Sequence, residues 1–276
     1  MPWTARLNLD VRLEAARSVA RFEHDGPLRI LQSLYPEGDA VCHNVLVHPP
    51  GGLVGGDTLD MQVQVGAGAH SLVTTPGATR FYRSEAGLAT QQVQAHVADG
   101  ARLEWLPLEA LAYSGCDALN LARFTLAPTA ELMTWDITAL GLPLAQQPFT
   151  QGVFRQHLEI PGVWLERGSV DAQDARLLDS PLGLAGQRCM ATLVFASGQA
   201  IAPERAEAAL DAARTALEAL PLRLQAGATQ PHPQVIVLRV LAPVVEPAMQ
   251  LLRPVWAAWR QALWGLPGNV PRLWNL

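Results

Sequence analysis

Lysine is absent from this chain of 276 residues, and all 20 of its basic residues are arginine. That absence excludes a phosphate-binding loop built on lysine and any catalysis through a lysine Schiff base. The short signatures GxSxG, HExxH and GxGxxG, which mark common hydrolase, metalloprotease and dinucleotide sites, are missing as well. The sequence therefore carries no motif of these enzyme classes.

Cysteine is also scarce. Cys42, Cys116 and Cys189 stand far apart, and no CxxC pair occurs. Such spacing is typical of reduced thiols rather than of a disulfide framework. The first residues contain no apolar run of the signal-peptide type, and no window approaches 18 uninterrupted apolar residues. We therefore expect a cytoplasmic protein without a membrane span.

Charged residues are few, at 16% of the chain against 49% hydrophobic residues. A chain of this length can bury a large core, so one interpretation is a single well-filled interior. The other is that partner proteins or further copies of the chain cover the remaining apolar surface. The net charge of −5 argues against nucleic acid and acidic membrane surfaces as partners.

The most unusual segment is residues 48–57, which read His-Pro-Pro-Gly-Gly-Leu-Val-Gly-Gly-Asp. Pro49 and Pro50 fix the backbone angle φ and lack N–H donors, so neither a helix nor a central strand can run through them. The glycines that follow allow positive φ and close backbone approach. The segment therefore predicts a shaped loop that delivers Asp57 to a defined place.

Hydrophobic and polar residues alternate along much of the first two-thirds of the chain. This period of two predicts half-buried β-strands and a mainly β body. The segments with a strand signal are residues 40–47, 59–65, 69–75, 93–97, 101–106, 130–137, 154–160, 163–170, 188–196 and 235–241.

A faint internal repeat accompanies these strands. Ala69, Ala101 and Ala130 each open a predicted strand, at spacings of 32 and 29 residues. One interpretation is a solenoid-like stack in which the ends of these strands lie side by side. The other is coincidence among alanine-rich strands.

A few helices are expected, two of them near the C-terminus over residues 203–220 and 246–264, where apolar residues recur at helical spacing. Pro254 should kink or restart the second helix. We predict one domain over residues 1–276, with a β-stack body over 1–200 and a helical portion over 201–276 that includes one or two strands. The tryptophans at 256, 259 and 264 form either core or a surface for another subunit.

Five acidic residues lie in or beside predicted strands with apolar surroundings: Asp57, Glu104, Glu109, Asp136 and Glu166. A carboxylate there is destabilising unless it is paired, hydrated or close to a cation. Water-filled interior space lined by oxygen atoms would satisfy these groups. It would also hold a divalent metal weakly, as a conduit requires.

Each of these residues also has a structural interpretation. Asp57 could cap a turn, and Glu104 and Glu109 could be ordinary solvated side chains. Asp136 and Glu166 could form buried ion pairs with Arg80, Arg83 or Arg167.

Four segments carry a resemblance to a known family. They are residues 48–57, residues 74–84 (Thr-Thr-Pro-Gly-Ala-Thr-Arg-Phe-Tyr-Arg-Ser), residues 103–109 (Leu-Glu-Trp-Leu-Pro-Leu-Glu) and residues 271–274 (Pro-Arg-Leu-Trp). In this order and spacing they resemble the urease accessory protein D family, UreD or UreH. The resemblance covers nearly the whole chain and implies a helix-like stack of β-strands with helices near the C-terminus.

The resemblance also implies a role, namely delivery of nickel into apo-urease by a scaffold without enzymatic activity. No cofactor would be tightly bound, and Ni²⁺ would pass transiently through an internal passage. The residues that would line it are Asp57, Thr75, Asp136 and Glu166, with Glu109 as a weaker candidate.

The implied partners are the urease subunits and the accessory proteins F and G, of which G is a GTPase. Aromatic residues and arginine are favoured at the centre of protein interfaces. The candidates for partner binding are Phe81, Tyr82, Arg83, Trp256 and Trp259.

Two other functions fit the same sequence. A β-solenoid hydrolase acting on a carbohydrate would need two carboxylates about 5–10 Å apart in an aromatic-lined cleft. A β-rich adaptor without any metal role would need only the partner surfaces.

Overall fold

The computed structural model describes residues 2–85, 87–220 and 225–275, and every element below belongs to them. The earlier strands are β1 Thr4–Glu14, β2 Arg17–Asp25, β3 Arg29–Leu34, β4 Val41–Val47, β5 Gly52–Leu53, β6 Thr58–Val65, β7 His70–Thr74, β8 Thr79–Phe81, β9 Ala89–Val97, β10 Arg102–Leu106 and β11 Ala110–Ala112. The later strands are β12 Cys116–Leu126, β13 Glu131–Leu142, β14 Gln147–Pro148, β15 Gly152–Ile160, β16 Trp164–Asp171, β17 Cys189–Ser197, β18 Gln225–His232 and β19 Val235–Ala242.

The helices are α1 Ala175–Asp179, α2 Pro203–Glu218 and α3 Val245–Trp259. Short 3₁₀ turns lie at Pro143–Ala145 and Arg272–Asn275, and a π-helical turn at Arg260–Trp264 follows α3. Among the described residues, none of the helices combines the length and apolarity needed to cross a membrane.

Within the described residues the strands form two stacked sheets. The seven-stranded sheet has the order β16-β15-β12-β9-β6-β1-β2. The twelve-stranded sheet has the order β18-β19-β17-β13-β10-β7-β4-β3 and includes the short strands β5, β8, β11 and β14. The chain passes repeatedly from one sheet to the other and winds as a β-solenoid, which confirms the predicted mainly β, stacked architecture.

The internal repeat corresponds to three neighbouring strands of the twelve-stranded sheet. Strand β10 pairs in parallel with β7 and β13, and Arg102 lies opposite both His70 and Glu131. The alanines that precede the three strands are fully buried. The stacking interpretation of the repeat is confirmed.

The helices form a third layer on the far side of the twelve-stranded sheet. Trp256 and Trp259 of α3 pack with Trp135 of β13 in a core separate from the one between the sheets. Both α3 tryptophans are fully buried, so the core interpretation is confirmed for them. Pro254 lies inside α3, which continues to Trp259 without a restart, so of the two predicted effects only the kink stays a prediction.

The C-terminal portion contains β18 and β19 beside α2 and α3, and β19 pairs with β17 of the body. Strands β1, β2, β3 and β12 were not predicted, although β1 shows a clear alternation of buried and exposed residues. The apolar side chains of β1 face the twelve-stranded sheet. Parallel pairing with β6 fixes the register of β1.

Candidate functional site

A row of side-chain amides crosses the inner face of the seven-stranded sheet. Gln91, Asn120 and Gln156 lie opposite one another in β9, β12 and β15, because these strands pair in parallel and in register. Their neighbours at the same alternation phase, such as Val93 and Phe154, are buried. The amides therefore occupy positions that an ordinary inter-sheet core would fill with apolar residues.

The twelve-stranded sheet places a second polar row against the first. Asp136, Thr192 and Arg239 are in register in β13, β17 and β19. Glu166 reaches the same region from edge strand β16. Carboxylate, hydroxyl and amide groups from both sheets thus meet in one layer.

Hydrogen bonds connect the two rows. Thr79 Oγ1 donates to Gln91 Oε1 at 3.0 Å, and Gln91 Nε2 donates to Asn120 Oδ1 at 3.1 Å. Asn120 Nδ2 then lies 3.4 Å from Asp136 Oδ2. Asp136 also accepts a hydrogen bond from Gln156.

The row ends at Glu166, which accepts a hydrogen bond from Thr192 Oγ1 at 3.3 Å. Arg239 Nη2 lies 3.1 Å from the other Glu166 oxygen. We name the whole set the polar seam: Thr79, Gln91, Asn120, Asp136, Gln156, Thr192, Glu166 and Arg239.

Asp136 is the most perturbed carboxyl group of the seam. Burial raises its pKa to about 7, and the negative charge of Glu166 adds to the effect. Hydrogen bonds from Gln156 and Thr138 act in the opposite direction. Its side chain can therefore exchange a proton close to neutral pH, which an ordinary aspartate cannot.

Three cavities lie along the seam. The His48 cavity, of about 110 Å³, is lined by His48, Thr75, Thr79 and Gln91 among others. The Asp136 cavity, of about 20 Å³, is lined by Gln91, Asn120 and Asp136. The Glu166 cleft, of about 600 Å³, is lined by Gln156, Glu166, Thr192 and Arg239 together with apolar residues. The seam thus runs between a small cavity at one end and a large cleft at the other.

Comparison with known proteins identifies the family. The sequence profile described as "UreD urease accessory protein" matches residues 4–275. The chain belongs to the UreD urease accessory protein family. It is 65% identical over 274 residues to the urease accessory protein UreD of Variovorax paradoxus strain S110, with 99% of each chain covered. It is 65% identical to that of Paracidovorax citrulli strain AAC00-1 and 63% identical to that of Albidiferax ferrireducens, over the full length of each chain.

Membership of the UreD family makes this an accessory protein of urease maturation and not an enzyme. The carbohydrate hydrolase considered from the sequence is therefore set aside. The family resemblance drawn from residues 48–57, 74–84, 103–109 and 271–274 is confirmed over nearly the whole chain.

Of the acidic residues predicted to line a passage, Asp136 and Glu166 come together in the polar seam. The ion-pair partner expected for Glu166 was wrong, because Arg239 of β19 reaches it rather than Arg80, Arg83 or Arg167. Asp136 forms no ion pair with an arginine among the described residues.

Asp57 and Thr75 belong to the loops around the His48 cavity. Asp57 is 2% exposed, and its carboxylate accepts hydrogen bonds from the backbone N–H groups of Val54 at 3.0 Å and Trp3 at 3.2 Å. It therefore caps the turn of residues 48–57, in which Gly51 and Gly56 adopt the predicted positive φ of 71° and 87°. Thr75 lines the cavity and accepts a hydrogen bond from Leu108 N at 2.8 Å.

Glu109 lies apart from the seam, in a groove that it shares with Glu246 at the start of α3. Burial raises its pKa. Its neighbour Glu104 was considered as a solvated residue, which is wrong, because it is fully buried and contacts His70, Trp256 and Arg260.

The predicted partner-binding residues divide into two groups. Arg83 is exposed and Tyr82 is half-buried against Tyr113, at a ring distance of 4.8 Å. Phe81 is fully buried against Phe154, and Trp256 and Trp259 are buried beneath the helices. Partner binding stays a prediction for all five residues. Of these, only Tyr82 and Arg83 have side-chain surface that a partner could contact directly.

A second buried polar cluster lies under the helices and was not anticipated. Arg260 lies 3.4 Å from Glu104 and 2.9 Å from Glu37, while His70 and His43 contact the same two carboxylates at 2.8 and 2.7 Å. Burial alone would raise the pKa of Glu37, but hydrogen bonds from His43 and Arg260 lower it below its ordinary value. We name these five residues the helix-side cluster.

Across the described residues, no group of three or more His, Cys, Asp and Glu side chains is arranged to hold a metal ion. The polar seam instead mixes amides, hydroxyls and two carboxylates. Gln91 and Asn120 were not predicted as site residues, because both lie outside the segments with a predicted strand signal: β9 begins earlier than expected, and β12 was not predicted. A polar residue at the apolar phase of a strand's alternation is the signal that could have found them.

Proposed function

We propose that this UreD protein delivers Ni²⁺ to apo-urease and that the polar seam is the route of the ion. In this proposal the chain also joins urease to the accessory proteins F and G in the cytoplasm. The observation that carries the proposal is a continuous row of oxygen- and nitrogen-bearing side chains between two otherwise apolar sheet faces. A purely structural core has no need of such a row, since unpaired polar groups there are costly.

The chemistry of the seam fits a passing cation. Carboxylate and hydroxyl oxygens bind divalent ions of the first transition row more weakly than imidazole or thiolate does. An ion that must leave again needs weak, successive sites rather than one tight site. Asp136 and Glu166 supply the negative charge, and Thr192 lies opposite Asp136 on the neighbouring strand and donates a hydrogen bond to Glu166.

His48 gives the other end of the route a stronger ligand. Burial lowers the pKa of its imidazole, against the opposing charge of Asp57, so the ring is neutral at physiological pH. Its Nε2 atom is buried and has no hydrogen-bond partner among the described residues. A neutral imidazole nitrogen is a good donor for Ni²⁺, and Thr75 lies in the same cavity.

The remaining candidates take supporting roles in the proposal. Asp57 holds the loop that carries His48, and Tyr82 and Arg83 form a surface for a partner protein. Glu109 stays a prediction, because no described contact joins it to the seam.

The test is Asp136→Ala. We expect about a tenfold fall in the nickel content and activity of urease matured with the variant, the scale observed when groups around metal ligands are removed. Assembly with urease and the accessory proteins should be unchanged, because Asp136 is buried between the sheets. Nickel is measured by mass spectrometry of purified urease, and assembly by size-exclusion chromatography.

Asp60→Ala is the matched control. Asp60 lies on β6 of the same sheet but faces outward, where it accepts hydrogen bonds from Gln62 and Gln92. It should mature urease as the wild type does. Normal nickel loading by Asp136→Ala would refute the route, and loss of assembly in that variant would indicate a scaffold role for this position instead.

A further inference from the structure

Gln91 occupies a special place in the polar seam, because it lines both the His48 cavity and the Asp136 cavity. It is the side chain that the two cavity linings share. Asn120 lies opposite it on the neighbouring strand and lines the Asp136 cavity only. The two amides therefore lie at the junction between the His48 cavity and the Asp136 cavity.

Hydrogen bonds hold this amide pair across the gap. The Gln91 oxygen is occupied by Thr79 at 3.0 Å, and its nitrogen donates to the Asn120 oxygen at 3.1 Å. The Asn120 nitrogen faces Asp136 at 3.4 Å. Both amide oxygens are thus already in use, and the space on the Asp136 side is about 20 Å³, roughly the room of one water molecule.

A cavity of about 20 Å³ has no room for a hydrated cation, so an ion cannot move past the pair in its hydration shell while the two amides are joined. The Thr79–Gln91 and Gln91–Asn120 hydrogen bonds link neutral groups, and such bonds are weaker than charge-assisted hydrogen bonds. Amide side chains also rotate about their terminal torsion with a broad energy profile. The pair can therefore separate without disturbing the strands that carry it.

We infer that the Gln91–Asn120 pair is an internal gate of the seam, which closes the His48 cavity from the Asp136 cavity until the two amides separate. This inference rests on the proposed nickel route. Gln91 and Asn120 are positioning residues that act by occupying space and by bonding to each other. The carboxylates beyond them supply the attraction for the ion.

The gate is tested by changing the pair in two opposite ways. Gln91→Met and Asn120→Leu keep a side chain of similar size but make the gap apolar and unable to hydrate an ion. We expect each to slow nickel-dependent urease activation by about tenfold. The double variant Gln91→Ala with Asn120→Ala opens the gap, and it should activate urease at the wild-type rate or faster.

The matched control is Gln94→Met, three residues further along β9 on its outward face. It should activate urease at the wild-type rate. Rates are taken from the time course of urease activity at limiting nickel, with nickel content, thermal unfolding and partner assembly measured on the same samples. A purely structural role would make the alanine and the apolar variants fail together.

The outcomes separate the gate from the route itself. If Asp136→Ala is slow while Gln91→Met and Asn120→Leu are normal, the gate is wrong and the route stands. If all three activate urease normally, both are wrong. If the apolar variants do not fold, the double alanine variant alone tests the gate. Activation at the wild-type rate or faster would support the gate, and slower activation would overturn it.

Discussion

Asp136 places an ionisable carboxyl group between two β-sheets, where the residue is only 7% exposed. Its pKa of about 7 compares with an ordinary value of 3.8, chiefly because burial disfavours the anion. An acid with a raised pKa in the folded state holds its proton more tightly there than in the unfolded chain. Its contribution to stability is therefore complete below about pH 4 and is lost as the pH rises towards 7.

Asp136→Asn should remove this dependence, because asparagine keeps the shape but does not ionise. The difference between the two pKa values corresponds to at most about 4 kcal/mol. We expect the free energy of unfolding of the variant, relative to the wild type, to increase by a few kcal/mol between pH 4 and pH 7. Urea titrations across this range measure it, and a constant difference would show that folding does not raise the pKa of Asp136.

Asp57 shows what the sequence could and could not specify for one residue. The prolines and glycines before it predicted a shaped loop, and positive φ at Gly51 and Gly56 bears this out. Whether Asp57 caps the loop or lines a passage could not be predicted. Its carboxylate accepts a hydrogen bond from the N–H group of Trp3, which lies 54 residues away in the sequence. No local pattern contains that contact.

At the scale of strands, the sequence predicted ten of the 19 strands found in the described residues, and it did not give their order. Gln91, Asn120 and Gln156 form a row only because β9, β12 and β15 are neighbours in parallel register. Parallel pairing joins segments about 30 residues apart, so it leaves no short-range mark except a repeat. The repeat at Ala69, Ala101 and Ala130 was such a mark, on the opposite sheet.

Helix α3 and the turn after it are fixed to the twelve-stranded sheet by the helix-side cluster. Arg260 follows α3 directly and is completely buried between Glu37 and Glu104. Trp256 of the helix adds a hydrogen bond to Glu104 at 2.7 Å. The partners come from distant parts of the chain, which is why the sequence alone did not reveal them.

Arg260→Leu should destabilise the protein by about 3–5 kcal/mol, because it leaves two buried carboxylates without their common cation. Arg214→Leu is the control, since Arg214 pairs with Asp211 on the exposed face of α2. Loss of such a surface pair costs at most about 1 kcal/mol. Urea unfolding of both variants measures the difference, and equal costs would contradict a stabilising role of the cluster.

The whole molecule has three layers, and the twelve-stranded sheet contributes side chains to two cores. One core lies between the sheets and contains Cys42 and Cys116, and the other lies under the helices and contains Cys189. All three thiols are free and buried. Because the twelve-stranded sheet contributes to both cores, we expect that loss of its structure in one core also destabilises the other. If the chain is a single domain, as predicted, the two cores should unfold together in one cooperative transition.

Thiol labelling tests that statement. Burial raises the pKa of Cys116 and of Cys189 to about 12, so neither forms the reactive thiolate while the chain is folded. We expect iodoacetamide to modify the three cysteines at one common rate at each urea concentration, since each must wait for the same opening. Peptide mass spectrometry gives the three rates separately, and the fully unfolded chain supplies their intrinsic values. Faster modification of Cys189 would show that the helical layer opens by itself, and residues 201–276 would then be a separate folding unit.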